Sequence, residues 1–155
     1  MATPAELPNA APGPFRTTRL VEFHDTDMAG IMHFASFFLY MESAEHELLR
    51  SVGLTVHPRG VAEAISFPRV SAACDFRSPA HCEDVLEIEI GIERLGEKSI
   101  AYRIRMSTAG RLVAEGRVVC VCCLVQPGQP LRSVAIPADV AAKLAVYQLP
   151  ATDAA

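Results

Sequence analysis

The side chains best suited to chemistry crowd together near the start of the chain. Val21 to Gly30 reads Val-Glu-Phe-His-Asp-Thr-Asp-Met-Ala-Gly, with His24, Asp25, Thr26 and Asp27 in a row. A carboxylate can attack an acyl carbon or draw a proton from water. An apolar run with helical spacing begins a few residues later, so these acids stand just upstream of a helix N-terminus. Such an end offers unpaired N–H groups and a partial positive charge. A well-placed donor there stabilises a developing oxyanion by about 3 kcal/mol. The combination suits acyl transfer or hydrolysis. The same residues would equally make one helix-capping Asp and one turn Asp, and spacing alone leaves both readings open.

The elements that must position this cluster follow from hydrophobic periodicity. Arg16–His24 reads as a strand with Val21 and Phe23 on one face. Phe34, Phe37, Phe38, Met41, Leu48 and Val52 recur at three- and four-residue steps, predicting one long helix from about His33 to Val52, stopped by Gly53. Beyond it the period changes to two. Ile65 and Phe67 share one parity while Val70, Ala72, Cys74 and Phe76 share the other, with Pro68 at the switch where a bulge or kink is expected. Leu86, Ile88, Ile90 and Ile92 alternate with polar or small residues, as do Ile100, Tyr102, Ile104 and Met106, and Leu95–Lys98 joins the two strands. A last long strand, Leu112 to Val125, is apolar on both faces in its second half, and Pro137 opens a short helix carrying Val140, Leu144 and Tyr147. The fold class is α+β: a largely antiparallel sheet wrapped around one long helix, burying Phe34, Phe37, Phe38 and Met41. A strand apolar on both faces implies that a partner subunit covers part of the sheet.

Composition narrows the function classes. Fourteen Lys and Arg against eighteen Asp and Glu in 155 residues give a net charge of −4, so no basic stripe exists to bind nucleic acid. No apolar run approaches the roughly 20 residues that span a bilayer. Residues 1–14 are rich in Ala and Pro with one charge, Glu6, and read as a disordered leader rather than a secretory signal. A single domain is expected over 15–149, with a flexible tail at 150–155. The five cysteines, Cys74, Cys82, Cys120, Cys122 and Cys123, are an odd number. Without an export signal they read as free thiols of a reducing cytoplasm. Cys120, Cys122 and Cys123 lack a second ligand pair at zinc-like spacing, so small apolar residues on a buried strand is the preferred reading and no metal site is expected.

The segment from Val21 to Phe37, with its Asp25-Thr-Asp27-Met-Ala-Gly30 core, resembles the hotdog-fold acyl-CoA thioesterases of the 4-hydroxybenzoyl-CoA thioesterase family, which carry Asp-x-Asp-x-x-Gly between the first strand and the central helix. The likeness continues at Tyr40–Ala44, Glu47–Arg50, Phe76–Ala80, Asp84–Leu86, Glu97–Ser99 and Ile136–Asp139, covering about residues 16 to 147. It implies an enzyme that cleaves an acyl- or aroyl-CoA to free acid and CoA without metal or redox cofactor. It also implies a site between subunits, hence a homodimer or homotetramer. By this likeness Asp27 is the catalytic carboxylate, acting as nucleophile or as base toward water. The N–H groups at His33 and Phe34 polarise the thioester carbonyl. Gly30 and Ile31 lie beside the substrate, Gly30 allowing close approach, and Asp25 is a turn and capping residue.

Tol-Pal-associated relatives have Tyr-His where this chain has His33-Phe34. The histidine is thereby shifted by about 100° around a helix, and His33 could donate to the substrate or stand in solvent. Glu42 and Glu45 fall about 80° and 20° from Phe34 on a helical wheel. Glu42 aligns with a family acid near the acyl pocket, whereas Glu45 has no counterpart in the resemblance. Lys98 matches a basic position in the family's hairpin, where CoA phosphates require cations. Two neighbouring basic positions are Gly96 and Glu97 here, which leaves Arg69, Arg77 and Arg103 as substitutes. Two other functions compete: a hydratase or dehydratase using His24 or His33 with an acid, and a non-catalytic acyl-CoA-binding module.

Overall fold

The computed structural model describes residues 13–56 and 58–151. Most of the expected leader, His57 and residues 152–155 of the expected tail lie outside this range. Strand β1 covers Phe15–Leu20, helix α1 Phe34–Ser51, β2 Ala64–Ser66, β3 Arg69–Phe76, β4 Val85–Leu95, β5 Ser99–Thr108, β6 Arg111–Val121, β7 Cys123–Val125, β8 Arg132–Ser133 and α2 Ala138–Leu144. Five strands form one antiparallel sheet in the order β1-β4-β5-β6-β3, and β2-β7-β8 form a small second sheet. The helix packs on the large sheet, which is the hotdog arrangement.

The core follows the alternation in β4 and β5. Leu86, Ile88, Ile90, Ile92, Ile100, Tyr102, Ile104 and Met106 are buried together with Phe37, Met41, Leu48 and Leu49 of α1. The helix can sit close because β6 carries Gly116 beneath it, where any Cβ would collide with the Met41 sulfur. Its ends match the periodicity: His33 is the N-cap and Val52 the C-cap. Pro137 precedes α2 as its cap, and Val140 and Leu144 are buried, while Tyr147 meets Phe15 edge-on at 5.7 Å. The parity switch at Pro68 separates β2 from β3, with a register irregularity between Arg69 and Ser71.

Three local expectations change. The first strand ends at Leu20, and Phe23–Asp25 form a single 3-10 turn. Val21 is therefore fully buried while Phe23 points to solvent at 83% exposure. The final strand is two strands: β6 stays in the large sheet, and beyond Cys122 the chain crosses to β2 and β8. A stretch apolar on both faces concealed that break, because it packs equally well in either sheet. Finally, Phe37 and Met41 are buried and Phe38 partly so, but Phe34 is 62% exposed. The first turn of α1 overhangs the sheet rather than being enclosed by it.

Candidate active site

The loop between β1 and α1 is built by Asp25. Its carboxylate accepts the Glu22 N–H at 2.9 Å and lies 2.6 Å from the Tyr40 hydroxyl, which is also 2.8 Å from the Leu20 carbonyl. Its own carbonyl accepts the His33 N–H at 2.7 Å and the Ser36 hydroxyl at 3.1 Å. Burial and the Asp25 carboxylate together push the Tyr40 phenol well above its ordinary value, so it stays a neutral donor. Asp25 is buried, and its Oδ2 takes both the Glu22 and the Tyr40 contact while Oδ1 lies 3.7 Å from His24, so the residue acts as a clamp joining the loop to the helix.

Asp27 is its opposite. It is exposed, and one carboxylate oxygen accepts the Ala29 N–H at 2.8 Å in a local turn. The other oxygen has no partner among the described residues. The turn closes through Gly30 N–H to Asp27 carbonyl at 3.0 Å and Asp27 N–H to Ile31 carbonyl at 3.1 Å. Gly30 has φ +77°, a left-handed conformation that strains other residues. It does not line the adjoining cavity, so its place is in the turn.

Asp27 opens onto a cavity of about 600 Å³ whose walls include Ile31, Phe34, Phe37, Phe76 and Arg77. Phe37 and Phe76 meet edge-on at 5.2 Å. At the helix start the Ala35 N–H is taken by His33 Nδ1 at 3.2 Å and the Ser36 N–H by the His33 carbonyl at 3.0 Å. The Phe34 N–H has no partner among the described residues and belongs to a cavity-lining residue. A free carboxylate oxygen and a free helix-end donor thus serve one apolar pocket, an arrangement able to attack a carbonyl carbon and hold the resulting oxyanion.

The other anticipated residues are distributed differently. His33 does not line the cavity; its ring caps the helix and lies 4.6 Å from that of Phe34. His24 is exposed, 3.7 Å from Asp25. Glu42 sits two turns along α1, 3.4 Å from Arg69, and is absent from the cavity wall. Arg69 is engaged more closely by the buried Glu45, at 2.7 Å. Lys98 lies in the β4–β5 turn at the far end of the sheet, about eleven residues of strand or roughly 35 Å from the Asp27 end. It can approach a cavity of this kind only from another subunit. Arg77, expected only as a substitute cation, lies in the opposite wall, Phe76 to Ala80, whose other residues sequence reasoning did not assign to the site; the loop is tied to this wall by Met32 N–H to Ala80 carbonyl at 2.7 Å. Its signal was the compact Phe-Arg-Ser-Pro-Ala run between two strands.

Cys120, Cys122 and Cys123 are buried, Cys74 is half-buried and Cys82 exposed, all as free thiols. Burial pushes the Cys120 thiol up to about 12, and Glu45 beside it adds to the effect. The buried Cys120 is thus a packing residue rather than a nucleophile.

This sheet, helix and loop define a hotdog-fold protein with an acyl-transfer type of site. Residues 21–144 match the model of the thioesterase-like superfamily, and the chain belongs to that family. It is 32% identical over 107 residues to a 1,4-dihydroxy-2-naphthoyl-CoA hydrolase of Prochlorococcus marinus, covering 64% of this chain and 71% of the relative. Among solved structures, a 1,4-dihydroxy-2-naphthoyl-CoA thioesterase from Synechocystis superposes with a TM-score of 0.75 at 26% identity, covering 85% of this chain and 96% of that one. A 4-hydroxybenzoyl-CoA thioesterase complexed with 4-hydroxybenzoyl-CoA gives a TM-score of 0.74 at 26% identity, covering 84% and 98%. Among the described residues no helix is long and apolar enough to cross a membrane.

Proposed function

We propose that this chain hydrolyses an acyl- or aroyl-CoA to the free acid and CoA, with Asp27 as its catalytic carboxylate. Family membership sets the reaction class, and one observation supports the assignment within the chain: Asp27, with one carboxylate oxygen unpaired, lines the same cavity as Phe34, whose N–H is also unpaired among the described residues. The acyl group lies among Ile31, Phe34, Phe37 and Phe76, which fit a flat aromatic or compact aliphatic group. Asp27 adds to the thioester carbon, or takes the proton of the water that does. The carbonyl oxygen gathers charge against the Phe34 N–H, the C–S bond breaks, and the thiolate leaves with a proton. Water supplies the second oxygen of the acid, either by direct attack or by hydrolysing the anhydride formed on Asp27, and the proton it gives up goes to the thiolate.

The assembly is a homodimer or homotetramer in the cytoplasm. In a single chain β3 has only β6 beside it and exposes Val70 at 64% and Phe76 at 50%. An open apolar edge beside the cavity is what a second copy would cover. That copy would also bring its hairpin residue Lys98 toward a neighbouring site, and Glu42 would border the acyl pocket only from across such an interface.

The test is thiol release from a panel of thioesters, short-chain through 4-hydroxybenzoyl and 1,4-dihydroxy-2-naphthoyl, with light scattering to establish mass. Turnover by the parent and its loss in Asp27→Asn is the expected result. No release from any ester, or an active species that is strictly monomeric, would overturn the corresponding part.

A further inference from the structure

Two arginines stand at the mouth of the Asp27 cavity. Arg77 lines it directly, and its guanidinium is half-exposed. Arg111 opens β6 after a two-residue turn, Ala109-Gly110, in which both residues have positive φ. That turn is tight, so the direction in which Arg111 leaves the sheet is set by backbone geometry. Its Nη1 donates to the Pro79 carbonyl at 2.8 Å and to the Ser78 hydroxyl, both in the wall of the same cavity. Ser78 is in turn held by the Leu112 carbonyl. Arg111 is thus anchored by neutral groups and has no acidic partner among the described residues.

The charges around this pair favour an anion. Arg77 faces Glu115 at 3.2 Å and Asp75 at 3.7 Å, and Glu115 is shared with Arg105 at 4.0 Å. Two guanidiniums, Arg77 and Arg105, meet two carboxylates, and Arg111 beside them has no counterion among the described residues. The cavity interior is apolar apart from Asp27, whose charge repels an anionic group placed beside the reacting carbonyl. An anion on the substrate therefore belongs at the solvent-facing rim, on the part of the ligand that leads out of the pocket. For a 4′-phosphopantetheine thioester that part carries a phosphate ester, whatever the acyl group.

We propose that Arg111 and Arg77 form the rim cation pair that receives a phosphate of the thioester's pantetheine carrier, resting on the thioesterase reading above. Arg111 supplies a fixed point of attachment, since its Nη1 is held by Ser78 and Pro79 while its other N–H groups have no partner among the described residues and the side chain is exposed. Arg77 adds a second donor set, with Glu115 limiting its swing. The phosphate is common to coenzyme A and to a phosphopantetheinylated carrier protein. Lys98 of the same chain, at the far end of β4, takes no part in this contact.

The experiment compares one acyl group on three carriers: pantetheine, 4′-phosphopantetheine and CoA. KM and kcat are measured for the parent, Arg111→Gln, Arg77→Gln, Arg111→Lys and Lys98→Gln. Loss of a charge-assisted contact to phosphate costs about ten-fold in affinity. The expected result is a rise of about that size in the ratio of KM for acyl-phosphopantetheine to KM for acyl-pantetheine in Arg111→Gln, a smaller rise in Arg77→Gln, and partial rescue in Arg111→Lys. A rise confined to the CoA ester would place the contact on the nucleotide phosphates, which excludes a carrier protein as the source. Unchanged ratios in both arginine variants, or a rise only in Lys98→Gln, would overturn the proposal. A parent that releases no thiol from any of the three would instead refute the thioesterase reading. Ratios between carriers are insensitive to loss of folded protein, and thermal melts of each variant show whether the Ser78–Pro79 anchor mattered for folding.

Discussion

Two carboxylates, one just ahead of α1 and one within it, have had opposite fates. Asp27, before the helix, is exposed, spends one oxygen on a local turn, and lines a cavity with the other oxygen unpaired among the described residues. Glu45, in the fourth turn, is 3% exposed; one of its oxygens accepts from Arg69 at 2.7 Å, and the other is 3.7 Å from the Cys120 sulfur. Both are acids beside an apolar helix, and both could have been drawn as catalytic. What separates them is whether a cation and a sheet close over the charge. A carboxylate whose lone pairs are already used inside the core holds structure together, while one left half-used at an open pocket is available to substrate.

The sharpest way to break this contrast is to neutralise each acid in turn. Asp27→Asn should lower kcat by roughly 10²–10⁴-fold while leaving the melting temperature nearly unchanged. Activity near the parent's level would remove Asp27 from the chemistry. Arg69→Met should act in reverse, with folding destabilised by about 3 kcal/mol because Glu45 is left as a buried charge without its partner. Chemical denaturation measures this, and the double variant Arg69→Met with Glu45→Leu should recover most of the loss.

A smaller effect appears in pH dependence. Burial raises the proton affinity of Glu45 in the folded chain, against the opposing pull of Arg69, with Glu42 adding to the rise. Between its unfolded value near 4.5 and its higher folded value, the folded chain keeps a proton the unfolded chain has lost. The contribution of this group to stability therefore falls as pH rises through that window. Glu45→Gln removes the fall, so its stability relative to the parent should increase with pH above about 4.5. A pH-independent difference between the two would show that the pull of Arg69 cancels the effect of burial on Glu45. The smallest effect belongs to the helix start. His33→Ala loses the cap on Ala35 and should cost about 1 kcal/mol, whereas His33→Asn should restore most of it. A large kcat loss in His33→Asn with unchanged stability would mean that the ring touches substrate after all.

Much of the frame was legible because its signals are local. The strict alternation of Leu86–Ile92 and Ile100–Met106 could build only half-buried strands, and the three- and four-residue steps from Phe34 to Leu48 predicted a helix that begins and ends within a residue of the observed one. The early end of β1 was not legible, since Val21 and Phe23 share a parity and only the Glu22–Asp25 turn sends them to opposite environments. Nor was the exposure of Phe34, because periodicity assigns a residue to a face without saying where the covering sheet stops.

The sequence by itself determined the order of the elements and the placement of two acids just ahead of a helix start, because dihedral preference, turn chemistry and periodicity act over a few residues. Only the tertiary structure decided which acid remains free and what surrounds it. Tyr40 reaches back to occupy Asp25, Arg69 crosses from β3 to occupy Glu45, and the wall from Phe76 to Ala80 arrives from more than forty residues beyond Asp27. Burial and ion pairing are settled by segments distant in the chain, so the availability of a carboxylate is a property of the fold rather than of its neighbours in sequence.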